Sequence, residues 1–205
     1  WSLLVYFQLR FQEMAGALET ALSEDLMIAE GPSSGFVVHQ VCVLWAQLQK
    51  CWSENIFLRE LGSRFWKLFL QMISRFMTFI REEVDFVRVQ LDLDSDNAAR
   101  FMILLFCDIR LLSSKVDALV SGEVCARLGL VRGTQGGPDI DSVFEEMAAE
   151  LLALGENIKS SMVGEISKSC GVIIDGAAAV PRLYLRTGRP PPSESSPYVG
   201  DALDQ

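Results

Sequence analysis

The sequence predicts an all-α protein, an elongated antiparallel bundle of about six or seven helices, and three observations carry that reading. Apolar residues recur every three or four positions along most of the 205 residues. Half of the chain is apolar, 50%, yet no stretch approaches the roughly 20 apolar residues that cross a bilayer. The strand period occurs in one run alone, Val87 to Asp94, with no second run nearby to complete a ladder. The longest apolar candidate, Phe101-Met-Ile-Leu-Leu-Phe-Cys107, stops at Asp108.

The first helix is expected over residues 3–28, because Leu4, Phe7, Phe11, Met14, Ala15, Leu18, Ala21 and Leu22 repeat at helical spacing. Gly31-Pro-Ser-Ser-Gly35 ends it with a glycine, a proline and small polar residues. Val37 to Trp52 forms a shorter helix with Val38, Val41, Leu44, Trp45 and Leu48 on one face. A turn at Trp52-Ser53 leads into the helix that organises the chain, residues 54–82, with Ser53 as its N-cap.

In that helix the polar residues Glu60, Arg64, Lys67, Gln71, Arg75, Thr78 and Glu82 form one narrow stripe. Ile56, Leu58, Leu61, Phe65, Trp66, Leu68, Phe69, Met72, Ile73, Phe76, Met77 and Ile80 fill the remainder. A surface helix needs an apolar face only about 100° wide, and this one is about twice as wide. Neighbours therefore grip it on two or three sides, and Trp66 and Phe69 belong to the core. Arg59, Arg64, Lys67, Arg75 and Arg81 outnumber Glu60, so its polar edge is basic.

Beyond Glu83 the alternating run Val87–Asp94 reads as an extended or frayed connector. Residues 97–121 form the next helix, capped by Ser95 or Asp96, with Met102, Leu105, Phe106, Ile109, Leu112, Val116 and Leu119 inward. A short helix follows within Gly122–Val131, then a loop at Gly133–Pro138. Asp139 or Asp141 caps a helix to about Leu154, which Gly155-Glu-Asn157 interrupts. Ile158, Met162, Ile166, Cys170, Ile173 and Ala177 resume it, and Pro181 kinks or restarts it. The expected organisation is a bundle domain over 1–186, a Pro/Ser-rich linker over 187–197 and the start of a further helix over 198–205. Trp1-Ser-Leu-Leu-Val lacks a basic start and a cleavage site, and begins in mid-pattern like a piece of a longer chain.

Charge excludes some functions. With 18 basic and 27 acidic residues the net charge is −9, which repels phosphate backbones and anionic lipid. The five cysteines, Cys42, Cys51, Cys107, Cys125 and Cys170, are odd in number and scattered, as in a reduced cytosolic protein.

Reactive constellations are absent from the pattern. His39 is the single histidine, with Cys42 one turn on, but a zinc site needs four ligands and no Cys-x-x-Cys occurs. Asp92, Asp94 and Asp96 begin like a calcium loop, but Asn97 replaces its glycine and Ile103 its bidentate glutamate. Gly133-Thr-Gln-Gly-Gly137 lacks the Gly-Lys-Ser/Thr of a phosphate loop. Arg189 before Pro190-Pro-Pro192 is a weak signal for a proline-binding domain. No catalytic, cofactor-binding or metal-binding residue is expected, and partner-binding residues are left unassigned.

Three stretches nevertheless resemble one family. They are Tyr6-Phe-Gln-Leu-Arg-Phe-Gln-Glu-Met-Ala-Gly-Ala-Leu-Glu19, Cys51-Trp-Ser-Glu-Asn-Ile-Phe-Leu58 with Arg64-Phe-Trp-Lys-Leu68, and Val180-Pro-Arg-Leu-Tyr-Leu-Arg-Thr187. In that order they are similar to the C-terminal region of second subunits of the conserved oligomeric Golgi complex, as is Tyr198-Val-Gly-Asp-Ala-Leu203. The resemblance implies a peripheral protein on the cytosolic face of the Golgi, in a tether built of stacked helical bundles. It further implies contacts with other subunits of the complex, SNAREs, Rab GTPases and golgins, and supplies no catalytic residues or cofactor. Two functions from different classes follow: a scaffold subunit of a vesicle tether, or a membrane-surface module using the basic face of helix 54–82. An enzyme stands behind both for want of ligands or a nucleophile.

Overall fold

The computed structural model describes residues 2–29, 31, 35–90, 95–129 and 140–187. Every regular element among them is helical: α1 (Leu3–Leu22), α2 (His39–Cys51), α3 (Gly62–Gln90), α4 (Ser95–Leu119), α5 (Cys125–Leu128) and α6 (Ile140–Thr187). A 3₁₀ turn, Arg59–Leu61, leads into α3, and a π-helical turn, Val120–Val124, joins α4 to α5. The chain divides into two compact units, Trp1–Lys159 and Ser160–Gln205.

Neighbouring helices in the first unit reverse direction, as paired contacts show. Glu13 meets Lys50, and Met14 Sδ lies 3.6 Å from Cys51 Sγ, while Gln40 reaches the Ala21 carbonyl at the other end of α1. Helices α1 and α2 are therefore antiparallel. Phe7 packs on Phe65 and Glu19 pairs with Arg75, so α3 runs parallel to α1. Asp108 binds Val38 and Lys115 Nζ lies over Trp45, so α4 runs with α2. The first part of α6 closes the core, with Phe144 beside Trp66 and Gly155 beside Ile109.

The wide apolar face of α3 is buried as its width predicts. Phe65, Phe69, Ile73, Phe76 and Ile80 are fully enclosed, and Trp66, Leu68, Met72 and Met77 nearly so. Trp66 stacks on Phe69 at 5.5 Å and touches Trp52 and Phe144 at 6.4 Å. The inward positions Val38, Val41, Leu44, Trp45 and Leu48 are buried, as are Met102, Leu105, Ile109, Leu112 and Val116 of α4. With Met14, Leu18 and Leu22 of α1 and Phe144, Leu151 and Ile158 of α6, five helices thus share one core, the condition under which short helices become stable.

Several expected boundaries are corrected. Helix α1 ends at Leu22, not near residue 28. Residues 27–29 instead run beside 37–39 as an isolated antiparallel bridge, with Ala29 N–H donating to Val37 O at 2.8 Å and His39 N–H to Met27 O at 2.9 Å. The fully buried Gln40 takes over there, its amide donating to Asp25 O at 2.9 Å. Helix α3 begins at Gly62 rather than 54: Ile56 and Phe57 N–H groups close one turn on the Ser53 carbonyl, and the backbone then becomes extended at Leu58. That turn puts the Ile56 carbonyl 2.7 Å from Tyr6 Oη and the Phe57 ring 5.3 Å from Trp52. Ser53 is not the N-cap of α3, and its hydroxyl instead donates to Lys50 O at 3.0 Å.

Val87–Gln90 is the end of α3 and not an extended connector, because a lone strand has no ladder while a helix satisfies its own backbone. Residues 91–94 lie outside the described residues. The helix expected from Gly122 is a continuation of α4 through the π turn, ended by Gly129 at φ +68°. Helix α6 passes Gly155-Glu-Asn157 unbroken. One glycine costs about 1 kcal/mol of helix propensity, less than burial of Leu151, Leu154 and Ile158 around it returns. The helix also passes Pro181 without a restart, forgoing one backbone hydrogen bond. Farther along, Ile166 and Cys170 are exposed, so the inward face expected from Ile158 to Ala177 is not buried along its length. Gly133–Pro138 and residues 188–205 lie outside the described residues.

Candidate interaction surface

The polar stripe of α3 reaches solvent along its whole length, but its charges fall into two groups. In the C-terminal part, Arg75 Nε donates to Glu19 Oε1 at 2.9 Å and Arg81 Nη2 reaches Glu150 Oε2 at 3.4 Å. These pairs tie α3 to α1 and α6, though each is exposed and contributes little stability. In the N-terminal part, Arg64 and Lys67 are exposed and have no carboxylate partner among the described residues.

Arg64 lies instead over an aromatic ring. Its guanidinium carbon is 5.8 Å from the centroid of Phe7, which meets Phe65 edge-on at 5.5 Å. Phe65 touches Phe57 at 5.9 Å, and Arg127 lies 5.9 Å over Phe57. Three phenylalanines from α1, the 53–58 turn and α3 thus form one floor with a guanidinium over each outer ring. Such contacts contribute about 0.5–1 kcal/mol at exposed sites.

Local geometry explains why Phe7 and Phe57 are only half-buried while Phe65 between them is fully enclosed. Cys51, the last residue of α2, lies opposite Met14, so the first three turns of α1 extend past the end of α2. The 53–58 turn and the start of α3 meet them, through Tyr6 to Ile56 O and Phe7 to Phe65. Leu4 is consequently 49% exposed and Phe11 38% exposed, although their spacing predicts an inward face. Arg127 shares its charge with Glu123, donating from Nε at 3.1 Å and Nη2 at 2.9 Å. Arg59 is placed beside Gly129: a Cβ built there would stand 3.3 Å from its Nη2. On the other flank, Lys50 and Arg10 both bind the Glu13 carboxylate and hold it below the usual carboxylate range, Lys50 foremost.

The other sequence candidates gather no site. His39 opens α2 and Cys42 follows one turn later, both half-buried. Among the described residues no three histidine, cysteine, aspartate or glutamate side chains come together to hold a metal. No described helix is long and apolar enough to cross a membrane. Asp92 and Asp94, Gly133–Gly137 and Arg189 lie outside the described residues, as does the side chain of Asp96. Sequence periodicity foresaw the stripe but missed Arg127 and Phe57. A four-residue helix and a turn carry no period to read, and only the tertiary fold brings them together.

Fold and surface together define an all-helical protein whose charged and aromatic side chains meet at the open end of three packed elements. The family model described as COG complex component, COG2, C-terminal matches residues 1–205, and the chain belongs to that family. The chain is 26% identical over 238 residues to conserved oligomeric Golgi complex subunit 2 of Homo sapiens, covering 99% of this chain and 32% of the relative. The subunit 2 of Drosophila melanogaster is 25% identical over 215 residues, 99% of this chain and 29% of the relative. That of Arabidopsis thaliana is 33% identical over 85 residues, 39% of this chain and 11% of the relative. The chain thus spans about a third of the length of the first two relatives. No solved structure matches it.

Proposed function

We propose that the chain is a non-catalytic helical scaffold region of a Golgi vesicle-tethering complex, acting in intra-Golgi retrograde transport through protein–protein contacts. The observation that carries this reading is the family match along the entire chain, whose relatives are named as subunits of the conserved oligomeric Golgi complex. Packed helices support it, because they hold surfaces at fixed separations, which is what a tether requires. In this reading residues 1–186 are the helical domain, 187–197 a linker and 198–205 the start of a following helix. The partners are other subunits of the complex, with SNAREs, Rab GTPases and golgins as further ones, at the cytosolic face of the Golgi membrane.

The test replaces the corresponding region of a full-length subunit 2 by this chain, in cells lacking that subunit. Recovery of the other subunits with the tagged hybrid, and restored Golgi glycosylation, is the expected result. A stable hybrid that recovers the subunits but leaves glycosylation defective removes the transport role; one that recovers none removes the scaffold role.

A second reading, a membrane-surface module on the basic face of residues 54–82, is favoured by the exposed Arg64 and Lys67. Two of its five cations, Arg75 and Arg81, are already engaged by carboxylates. Flotation of the chain with phosphatidylserine liposomes tests it, and a chain left at the bottom of the gradient retires it.

A further inference from the structure

We propose that Arg64 and Lys67, with Arg59, half-buried Phe7 and the exposed Phe11 and Leu4 of α1, form a docking surface for a short acidic segment of a partner protein. The segment carries an apolar side chain among its carboxylates. The inference rests on reading the chain as an interaction subunit, and it names the chemistry of one partner.

The argument begins with charge. In a chain of net charge −9, three exposed cations at the head of α3 have no carboxylate partner among the described residues. Glu60, the one acidic residue between them in sequence, forms no ion pair with them although it stands four positions before Arg64. By contrast the next cations along α3, Arg75 and Arg81, are each matched from a neighbouring helix. A bundle that neutralises one half of a stripe from its own carboxylates leaves the other half for an external anion.

Next to these cations the surface is apolar. Arg64 covers one side of Phe7, whose other ring neighbours are Phe65 and Phe11, the latter at 6.2 Å. Phe11 and Leu4 are exposed on the same helix. A ligand of carboxylates alone would leave these groups wet, whereas an acidic segment with a Leu or Phe side chain covers both. The Arg guanidinium suits this role, since its plane stacks on the ring while its edge N–H groups bind carboxylate in a fork.

Extent separates a peptide from a membrane. Charges act over about 8 Å at physiological salt, so a short segment on the patch feels the cations and little of the acidic remainder. An anionic bilayer spans the whole molecule and meets that remainder as well. Nucleic acid fails on the same ground.

The experiment measures fluorescence anisotropy of a labelled ten-residue peptide of Asp and Glu with two leucines, against the 205-residue chain. A second peptide has Asn and Gln in place of the acids. We expect the acidic peptide to bind about tenfold more tightly or better, and Arg64→Glu with Lys67→Glu to remove that preference. Arg75→Glu, which breaks only the Glu19 pair, leaves it unchanged. Should the reversed variant fail to fold by circular dichroism, Arg64→Gln with Lys67→Gln replaces it, with the same expected loss. Equal binding of the two peptides, or a preference that survives these changes, overturns the proposal. Phosphatidylserine vesicles that bind the chain through Arg64 and Lys67, with no peptide preference, overturn it in favour of a membrane. The hybrid-subunit experiment reads recovery of the complex, so that reading and this surface fail separately.

Discussion

The carboxylate of Asp108 on α4 accepts the backbone N–H of Val38 at 2.7 Å, across 70 positions of sequence. The same Oδ2 accepts Val37 N–H at 2.8 Å. Val38 occupies the N-cap position of α2 and has no side-chain oxygen to offer, so α2 has no cap of its own. Asp108 supplies from another helix what a Ser or Asp would supply locally, an anion at the positive end of a helix. It is almost wholly buried, 3% exposed, at the junction where the chain returns from the isolated bridge into the core.

Replacement of Asp108 therefore separates hydrogen bonding from charge. Asp108→Ala leaves the buried Val38 N–H and the half-buried Val37 N–H without their acceptor and should cost about 1–3 kcal/mol. Asp108→Asn keeps an acceptor and should cost less than about 1 kcal/mol. Chemical denaturation of the two variants at neutral pH checks the order, and equal losses would remove the capping role.

Acidity gives a second test of the same residue. Burial pushes the Asp108 carboxyl above its ordinary value of 3.8, while the Val38 and Val37 N–H groups pull it partly back. The folded state thus binds the proton more tightly than the unfolded state. Its contribution to stability is full below 3.8 and is lost as pH rises through the raised folded value. Asp108→Asn should flatten that part of the profile, measured as Tm between pH 3.5 and 7. An Asn variant with an unchanged slope would assign the effect to other groups, of which Glu83 is also raised by burial.

Trp66→Ala tests the core. The indole is enclosed by Trp52, Phe69 and Phe144, from three different parts of the chain. Its loss should cost about 3–5 kcal/mol, the range for a large aromatic removed from a core. A melting temperature lowered by only a degree would show that these walls collapse onto the space at no cost.

Thiol chemistry should sort the cysteines by burial. Burial pushes the Cys51 thiol up to about 12, with Met14 Sδ as its neighbour. Cys107 and Cys170 are exposed. Titration of the native chain with an aromatic disulfide at pH 8 should modify those two first, and Cys51 only on unfolding. Early modification of Cys51 would mean that the end of α2 opens readily.

Calcium and zinc should leave the melting temperature where it is, since ligand binding to the native state alone would raise it. A dose-dependent rise with calcium would make a site of the run Asp92–Asp96 despite its missing twelfth ligand.

Periodicity by itself determined which residues of α2, α3 and α4 face the core. Burial is a property of a whole helical face, and the positions of Leu44, Phe69 or Ile109 repeat that face many times over. It likewise determined the exposed stripe from Arg64 to Glu82, because polar residues at helical spacing have nowhere else to go. The family was legible too, in blocks such as Cys51–Leu58 that the full-length match includes. Tertiary structure alone decided where helices stop and what their ends touch. Helix α3 starts at Gly62, past an extended Leu58 and the turn in which Ile56 and Phe57 meet Tyr6 and Trp52. The cap of α2 comes from Asp108, and the half-neutralised stripe depends on Glu19 and Glu150 arriving from other helices. Such contacts join residues far apart in sequence at single points, and a single point has no period by which a sequence could announce it.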